Sequence, residues 1–321
     1  MTFEDKILIT GAAGQIGSEL IMVLVKRFGK DKVVATDIRS REDGEIEWHE
    51  LDVTNYAAVQ RMIKEEGVGT VMHLAAILSA KGEENPELAY RVNVTGTKNV
   101  LDACVSGCVE KVFIPSTIAV YGPGTPVENV PLHTPTRPIT MYGITKLHGE
   151  LLGEYYSKKY GLDVRGIRYP GLISWKAPPG GGTTDYAVEM IRSAVAGRKY
   201  LCFIAPSTRL PMMYMPDALD AIFQLMNAPA SKLRIRTGYN IQAFSFSPSE
   251  LEKELKRHFP EFDVEYMPDE RDEVARSWPH SVDPSAASED WGFHSSYNVE
   301  SMISDMIMHL SNNTLVRPPG K

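Results

Sequence analysis

Two patterns of apolar residues alternate along most of the chain. Short continuous apolar runs, such as residues 7–9 and 68–74, are typical of strands that are buried on both faces. Between these runs, apolar residues recur at intervals of three and four, as at Ile16, Leu20 and Leu24, which predicts amphipathic helices. Because strands alternate with helices of ten or more residues, we expect an α/β fold built on a doubly wound parallel sheet.

The first predicted strand leads directly into a turn with three glycines. Gly11, Gly14 and Gly17 follow the apolar run in the spacing G-x-x-G-x-x-G, and a helix begins within the motif. Glycine permits a tight turn at Gly11 and close packing of helix on strand at Gly17, while Gly14 lets a pyrophosphate approach the backbone. The N–H groups of the helix N-terminus favour a phosphate there. We interpret the motif as a dinucleotide cradle; a turn that only joins strand and helix is the alternative.

An acidic residue ends the second predicted strand. Asp37 follows Gly17 by twenty residues, where a carboxylate accepts hydrogen bonds from an adenosine ribose and repels a 2′-phosphate. We therefore expect NAD as the cofactor, with Arg39 close by as the feature that favours NADP. The alternative for Asp37 is a solvated acid at the end of a strand. Asp52 ends the next short strand and is a candidate for the adenine side.

A tyrosine and a lysine lie four residues apart in the segment Y-G-I-T-K. Tyr142 and Lys146 therefore share one face of a predicted helix. Since an ammonium stabilises a nearby phenolate, we expect Lys146 to lower the pKa of Tyr142 and make it a base for a substrate alcohol. Ser116 and Thr117 end the preceding strand, where a hydroxyl can hold the substrate oxygen. A solvated pair on a helix surface is the alternative for Tyr142 and Lys146.

Composition limits the classes of ligand and partner. The chain has 321 residues, of which 43% are hydrophobic, and its formal net charge is −7. An acidic chain without a Lys/Arg-rich run suits neither nucleic acid nor an anionic membrane, so we expect neither as a partner. The N-terminus shows no leader pattern and no run reaches about 18 apolar residues, so we expect a cytoplasmic protein. The cysteines and histidines show no ligand spacing, and we expect no metal site.

Taken together, these motifs resemble the extended short-chain dehydrogenase/reductase family. The resemblance extends from residue 6 to about residue 311 and includes the glycine motif, Asp37, H-L-A-A, S-T-I-A-V-Y-G and Y-G-I-T-K. It implies a Rossmann fold, NAD as cofactor, and Thr117, Tyr142 and Lys146 as the catalytic residues. The cofactor contacts that it implies are Gly11, Gly14, Gln15, Ile16, Gly17, Asp37, Ile38, Asp52, Val53, Leu74, Ala75, Ala76, Asn93, Tyr142, Lys146 and Tyr169.

The stretch from residue 168 to 187, R-Y-P-G-L-I-S-W-K-A-P-P-G-G-G-T-T-D-Y-A, bears on the substrate. Sugar-nucleotide epimerases and dehydratases of this family have an asparagine where Gly171 stands, which argues against a UDP-sugar. The stretch closely resembles the family's L-threonine 3-dehydrogenases, which oxidise the β-hydroxyl of L-threonine to 2-amino-3-oxobutanoate. The substrate contacts expected here are Ser79, Ser116, Thr117, Tyr142, Gly182, Thr183, Thr184, Asp185 and Trp278. The alternatives are a UDP-sugar epimerase or dehydratase and a non-catalytic nucleotide-sensing regulator.

Prolines and glycines at residues 178–182 predict a hinge within this stretch. A segment that folds over a small substrate would exclude water and bring Thr184 and Asp185 to the site. The alternative is a plain connector in which Thr184 caps the next helix and Asp185 favours its dipole.

The chain is expected to divide into interleaved parts. We expect an NAD-binding Rossmann domain at residues 1–172, to which residues 208–243 return. A smaller C-terminal substrate-binding region, or cap, is expected at 173–207 and 244–311, followed by a tail at 312–321. The family resemblance also implies a homodimer, in which the helix of Tyr142 and the preceding long helix form a four-helix bundle. Leu147, Leu151 and Leu152 are apolar positions on that helix.

Overall fold

The computed structural model describes residues 5–39, 46–177 and 180–315. The strands are β1 (Lys6–Thr10), β2 (Val33–Asp37), β3 (Trp48–Glu50), β4 (Val68–His73), β5 (Lys111–Phe113), β6 (Ser116–Thr117), β7 (Asp163–Arg165), β8 (Ile167–Tyr169), β9 (Gly171–Ile173), β10 (Tyr200–Cys202), β11 (Leu210–Tyr214), β12 (Tyr239–Asn240), β13 (Phe244–Phe246) and β14 (Val264–Tyr266). The helices are α1 (Gln15–Phe28), α2 (Tyr56–Glu66), α3 (Ser79–Glu84), α4 (Pro86–Tyr90), α5 (Thr97–Ser106), α6 (Met141–Tyr160), α7 (Tyr186–Val195), α8 (Met215–Asn227), α9 (Pro248–His258), α10 (Glu270–Arg276), α11 (Ser285–Trp291) and α12 (Val299–Leu315).

Six parallel strands form the central sheet, in the order β3-β2-β1-β4-β5-β7. Ile7 and Ile9 pack into one core with α1 and α8, while Leu8 packs into a second core with α2 and α5. This alternation follows from the two-residue period of a strand and covers both faces of the sheet with helices. The predicted doubly wound parallel sheet is confirmed, and its strand order reverses beside β1, where ligands bind in such sheets.

Two predicted elements are divided in the structure. The predicted strand that ends at Thr117 separates into β5, in the central sheet, and β6, which pairs with β8 in a second sheet of order β12-β8-β6. Pro115 lies between them and has no N–H for a ladder hydrogen bond. The predicted long helix before β5 contains a π-helical turn, Arg91–Gly96, between α4 and α5. This turn carries Asn93, and such turns are frequent at functional sites.

The two segments predicted to form the cap are paired in the structure. Strand β10 pairs in parallel with β14, and both segments contribute to one buried core. A third sheet of order β13-β11-β9 joins the cap segment to the returning segment. The division at the stated boundaries remains a prediction. Helix α12 extends to Leu315, into the predicted tail, and the rest of that tail lies outside the described residues, as do Pro178 and Pro179 of the predicted hinge.

Candidate active site

A pocket opens where β1, β4, β6 and β8 end, at the carboxyl edge of the parallel strands. All nine residues predicted for the substrate line it: Ser79, Ser116, Thr117, Tyr142, Gly182, Thr183, Thr184, Asp185 and Trp278. Ten of the predicted cofactor residues line it as well: Gly11, Gly14, Gln15, Ile16, Gly17, Leu74, Ala76, Tyr142, Lys146 and Tyr169. Ile118, the alternative to Trp278 as an apolar wall for a methyl group, lines it too, and the lining residues that were not predicted are Leu78, Pro115, Pro170, Gly171 and Leu172. Strand ends and their next one or two residues would have identified most of these.

The glycine motif forms a tight turn from β1 into α1. Gly11 has φ of +67°, and a Cβ there would lie 2.5 Å from the backbone nitrogen of Ala75. A Cβ on Gly17 would lie 2.6 Å from the carbonyl oxygen of Gly11. Helix α1 starts after Gly14 without a side-chain cap, so its first N–H groups are available at the pocket. The close approaches at Gly11 and Gly17 leave the backbone exposed where a pyrophosphate would fit.

Asp37 lies at the end of β2, beside the glycine turn. Its carboxylate accepts hydrogen bonds from the N–H groups of Ala13 (2.9 Å) and Ile38 (2.8 Å). Ile38 is 63% exposed, an apolar surface next to this carboxylate. Asp52 accepts two hydrogen bonds from Thr54, and Val53 is buried in a core. The structure thus brings Asp37 to the glycine turn. None of Asp37, Ile38, Asp52 and Val53 lines the pocket, so the contacts of all four with a cofactor remain predictions.

Asn93 connects the loop after β4 to α6. Its amide accepts from the N–H of Ile77 (2.8 Å) and donates to the carbonyl of Ile77 and to Thr145, both at 3.0 Å. With these three hydrogen bonds Asn93 fixes the position of the Ala75–Ala76 loop relative to the residue before Lys146. Ala75 and Asn93 line a smaller cavity behind the main pocket, together with Lys146. A cofactor contact by Asn93 remains a prediction.

Tyr142 and Lys146 lie on α6 with their side chains in the pocket, close to Thr117. The Thr117 hydroxyl lies near the Tyr142 hydroxyl, where it favours the phenolate form of Tyr142. The Lys146 ammonium donates to the carbonyl of Pro115 (3.0 Å) and lies 5.8 Å from the centre of the Tyr142 ring. The structure therefore brings together the three residues predicted to be catalytic.

The prediction that the pKa of Tyr142 is lowered is wrong for the protein without a bound cofactor, because the pKa is raised there. Burial raises the pKa of Tyr142 to about 12, and the nearby Thr117 hydroxyl offsets only part of that rise. Burial also lowers the pKa of Lys146 to about 8. Both shifts have one cause, because a site that excludes water disfavours the charged form of either group. The ammonium is directed to the Pro115 carbonyl, and a cationic nicotinamide ring would add the positive charge that lowers a phenol pKa.

The structure distinguishes Ser116 from Thr117, which sequence reasoning left as possible partners in one role. The Ser116 hydroxyl donates to the carboxylate of Glu150 and is buried. Glu150 pairs with Arg168 through two hydrogen bonds, of 2.9 and 2.7 Å. Thr117 is therefore the hydroxyl left to face Tyr142, although Ser116 still lines the pocket. Glu150 was not predicted, although it follows Lys146 by four residues, as Lys146 follows Tyr142.

The glycine segment at residues 180–182, before α7, is held by the side chain of Asp185, which follows it in the chain. The Asp185 carboxylate accepts from the N–H groups of Gly181 and Gly182, both at 2.8 Å. Burial raises the pKa of Asp185, and these N–H groups partly offset the rise. The Thr183 hydroxyl lies 3.3 Å from that of Ser79. Asp185 thus anchors its own loop, and Thr184 does not cap the helix that follows. Contact of Asp185 with a substrate ammonium remains a prediction.

The comparisons with known proteins agree with this geometry. A sequence model of the NAD dependent epimerase/dehydratase family matches residues 7–241. The chain belongs to this family. The match confirms the resemblance to the extended short-chain dehydrogenases/reductases that the motifs indicated.

Individual relatives are similar over almost the whole chain. The mitochondrial L-threonine 3-dehydrogenase of Sus scrofa is 42% identical over 308 residues, which are 95% of this chain and 82% of that protein. An uncharacterized epimerase/dehydratase of Staphylococcus haemolyticus is 43% identical over 94% of this chain and 96% of its own length. A solved structure of a monomeric L-threonine 3-dehydrogenase of metagenomic origin, in its apo form, has a TM-score of 0.93 and 46% identity, covering 96% of this chain and 99% of that one.

A membrane-spanning helix and a metal site are both absent from the described residues. No helix in that part of the chain combines the length and apolar character that a membrane span requires. No group of three or more histidine, cysteine or acidic side chains there could hold a metal ion. Cys104 is buried, but Cys108, beyond the end of α5 and with φ of 55°, is exposed.

Proposed function

We propose that this protein oxidises the β-hydroxyl of L-threonine with NAD to give 2-amino-3-oxobutanoate and NADH, a reaction of threonine catabolism. The observation that carries the proposal is that Thr117, Tyr142 and Lys146 meet in the same pocket as the glycine turn. A cradle and a hydroxyl-activating group in one pocket suit hydride transfer from a secondary alcohol. The identity to L-threonine 3-dehydrogenases, spread over most of the chain, supports this substrate.

The residues present fit NAD, whose nicotinamide ring supplies the hydride acceptor when it is bound. The N–H groups at the start of α1 would hold the pyrophosphate, and Asp37 would accept hydrogen bonds from the adenosine ribose. Lys146, whose ammonium is within the pocket, would donate to the nicotinamide ribose. Asp37 opposes a 2′-phosphate through its negative charge, so the proposed cofactor is NAD and not NADP.

The chain's own groups move the proton of the reaction. Thr117 holds the substrate hydroxyl, and Tyr142, as phenolate, takes the proton of that hydroxyl. At the same time the hydride leaves the carbon that carries the hydroxyl. The C–H and O–H bonds break, a C=O bond forms, and the proton rests on the Tyr142 oxygen. Because burial opposes the phenolate, the positive charges of Lys146 and of the bound nicotinamide are needed to bring Tyr142 into its basic form.

The far side of the pocket suits a small zwitterion. Ser79, Thr183 and Thr184 offer hydroxyls for a carboxylate, Asp185 offers charge for an ammonium, and Trp278 offers an apolar wall for a methyl group. In this proposal the segment 180–182 covers the substrate, with Asp185 as its anchor.

A sugar nucleotide fits this side less well. A Cβ on Gly171 would lie 2.3 Å from the sulfur of Met212 and 2.9 Å from the Thr184 Cβ. Thr184 and Met212 therefore occupy the space that an asparagine side chain would need at this position. We accordingly place a UDP-sugar epimerase second and a non-catalytic nucleotide sensor third.

A substrate panel tests the proposal. Purified protein is mixed with NAD or NADP and with L-threonine, L-allo-threonine, L-serine or a UDP-sugar, and NADH or NADPH is followed by absorbance. We expect strong reduction of NAD with L-threonine. Conversion of a UDP-sugar without net NADH would instead support the epimerase, and NAD binding without turnover of any alcohol would support the sensor.

We also propose that two copies associate through α6, as the family resemblance implied. Ile144, Leu151 and Tyr155 are 48%, 65% and 48% exposed and lie on one face of that helix. Leu147 and Leu152 are instead partly buried against cores of the same chain. Leu151→Glu should shift a dimer to monomers in analytical ultracentrifugation, whereas a wild-type monomer would contradict the proposal. The cytoplasmic location remains a prediction from composition.

A further inference from the structure

Three consecutive residues at the pocket each face a different residue of α6. Pro115 accepts from Lys146, Ser116 donates to Glu150, and the Thr117 hydroxyl lies near Tyr142. The three partners on α6 are spaced by four residues, so they form one face of the helix. The first and third contacts involve the groups of the proposed reaction. The second contact, Ser116 with Glu150, involves groups to which the reaction assigns no chemical step.

Glu150 belongs to a buried polar network that extends away from the pocket. Arg168 on β8 donates to both oxygens of Glu150, to the hydroxyl of Tyr121 (2.8 Å) and to the Leu132 carbonyl (3.2 Å). The Tyr121 hydroxyl in turn donates to Asn240 on β12 (2.8 Å). Each of these polar side chains is less than 10% exposed, and neither Glu150 nor Arg168 lines the pocket.

Stability alone is a weak reason for such a pair. Burying two charges costs desolvation energy that their attraction barely repays, and apolar residues of similar volume often serve as well or better. What a bidentate pair supplies is a defined relative position of the elements that carry it. Here those elements are α6, which carries Tyr142 and Lys146, and β8, which pairs with the strand of Thr117.

We propose that Glu150 and Arg168 are positioning residues, which hold Ser116 and thereby fix the hydroxyl of the adjacent Thr117 against Tyr142. This inference rests on the proposed function. Because Ser116 and Thr117 are successive residues of a two-residue strand, holding Ser116 through its side chain restrains the backbone that carries the Thr117 hydroxyl. Loosening this contact through Glu150 misplaces the hydroxyl that holds the substrate oxygen, without removing any residue that lines the pocket.

The test compares Ser116→Ala, Glu150→Gln and the double variant with wild type. A misplacement of this kind should lower kcat on the order of 10- to 100-fold, while KM for L-threonine and Kd for NAD stay within about twofold. The acid limb of the pH–rate profile should move to higher pH, since the Thr117 hydroxyl helps to lower the pKa of Tyr142. The double variant should be no slower than the slower single variant, because both changes break one contact.

Thr208→Val is the matched control. Thr208 also donates from a buried hydroxyl to a buried carboxylate, that of Asp272 at 2.7 Å, but neither residue lines the pocket. We expect this variant to lower the thermal midpoint without changing kcat or the pH profile. Equal losses of kcat in Thr208→Val and Ser116→Ala would overturn the inference, as would unchanged kcat in Ser116→Ala. Additive losses in the double variant would also overturn it and would indicate that Ser116 contacts the substrate directly.

A second readout separates this inference from the proposed function. If wild type fails to oxidise L-threonine, the proposed function fails, but the position of Thr117 can still be followed by NMR of its labelled methyl group, assigned with Thr117→Val. We expect Ser116→Ala and Glu150→Gln to shift this signal alike and Thr208→Val to leave it in place. An unmoved Thr117 signal in both variants would overturn the positioning role by itself.

Discussion

Gly17→Ala is expected to impair both NAD binding and stability, because the new methyl group meets backbone atoms. Its Cβ would lie 2.6 Å from the Gly11 oxygen and 2.8 Å from the Cα of Ala12. An ordinary contact starts near 3.4 Å, so the start of α1 must move by roughly 0.8 Å relative to the turn. Such overpacking costs about 1–3 kcal/mol of unfolding free energy. Losing one charge-assisted hydrogen bond to the pyrophosphate should weaken NAD binding on the order of 10- to 100-fold.

Two other glycines separate these effects. A Cβ on Gly14 would meet only the Gly11 oxygen, at 3.2 Å, so Gly14→Ala should keep its stability and lose NAD affinity, since the methyl group points to where a pyrophosphate approaches. Gly29, at the end of α1, has φ of +87° and open space around its Cβ position. Gly29→Ala should therefore lose about 1 kcal/mol of stability through backbone strain and bind NAD normally.

Thermal unfolding and titration calorimetry with NAD measure the two quantities on the same samples. We predict that Gly17→Ala loses both stability and NAD affinity, that Gly14→Ala loses NAD affinity alone, and that Gly29→Ala loses stability alone. Normal NAD affinity in Gly17→Ala would refute the cradle, because a displaced helix start could not then be the phosphate site.

Further predictions address the cofactor, the base and the glycine segment. Asp37→Ser should lower the preference for NAD over NADP by about tenfold or more, equivalent to roughly 1.4 kcal/mol, in kcat/KM measured with each cofactor; an unchanged ratio would contradict the ribose contact. Tyr142→Phe should bind NAD normally and lose about 10²- to 10⁴-fold in kcat; retained turnover would reject the phenolate mechanism. Activity should rise with pH as Tyr142 loses its proton, and Lys146→Met should move that limb to higher pH because the ammonium that favours the phenolate is gone; an unmoved limb would remove Lys146 from this role. Gly181→Ala, at φ of +91°, should raise KM for L-threonine if the segment closes over the substrate, and unchanged kinetics would leave it a connector.

Local patterns were sufficient for the order of strands and helices and for the position of the glycine turn. Each of these features depends on residues close in the chain: an apolar run, three glycines at fixed spacing, or two side chains on one helix face. The parallel sheet then brings strand ends together, and Gly11 and Thr117, which were placed there, line one pocket. Ser79 and Trp278, which line the same pocket, were suggested by the family resemblance and the chemistry of the substrate and not by strand ends. Thr117 and Tyr142 could be paired in this way because a hydroxyl follows a strand and a tyrosine begins the next long helix.

Features that depend on burial could not be predicted from spacing. The pKa of Tyr142 rises because water is excluded around it, which a tyrosine and lysine four residues apart do not reveal. The separate roles of Ser116 and Thr117 depend on Glu150 and Arg168, which come from α6 and β8. Likewise, Asp185 is used by the N–H groups of its own loop, so its charge is already engaged before any ligand arrives. In the first two cases the decisive partner is the solvent or is distant in the chain.

Hydride transfer from L-threonine labelled with deuterium at its β-carbon tests the central claim most directly. Purified protein, NAD and the labelled substrate are incubated, and the cofactor and the organic product are analysed by mass spectrometry. We predict deuterium in the reduced cofactor and 2-amino-3-oxobutanoate, or the compound that it forms on losing CO₂, as the product. Reduced cofactor without deuterium, or intact L-threonine beside bound NAD, would contradict the proposed function.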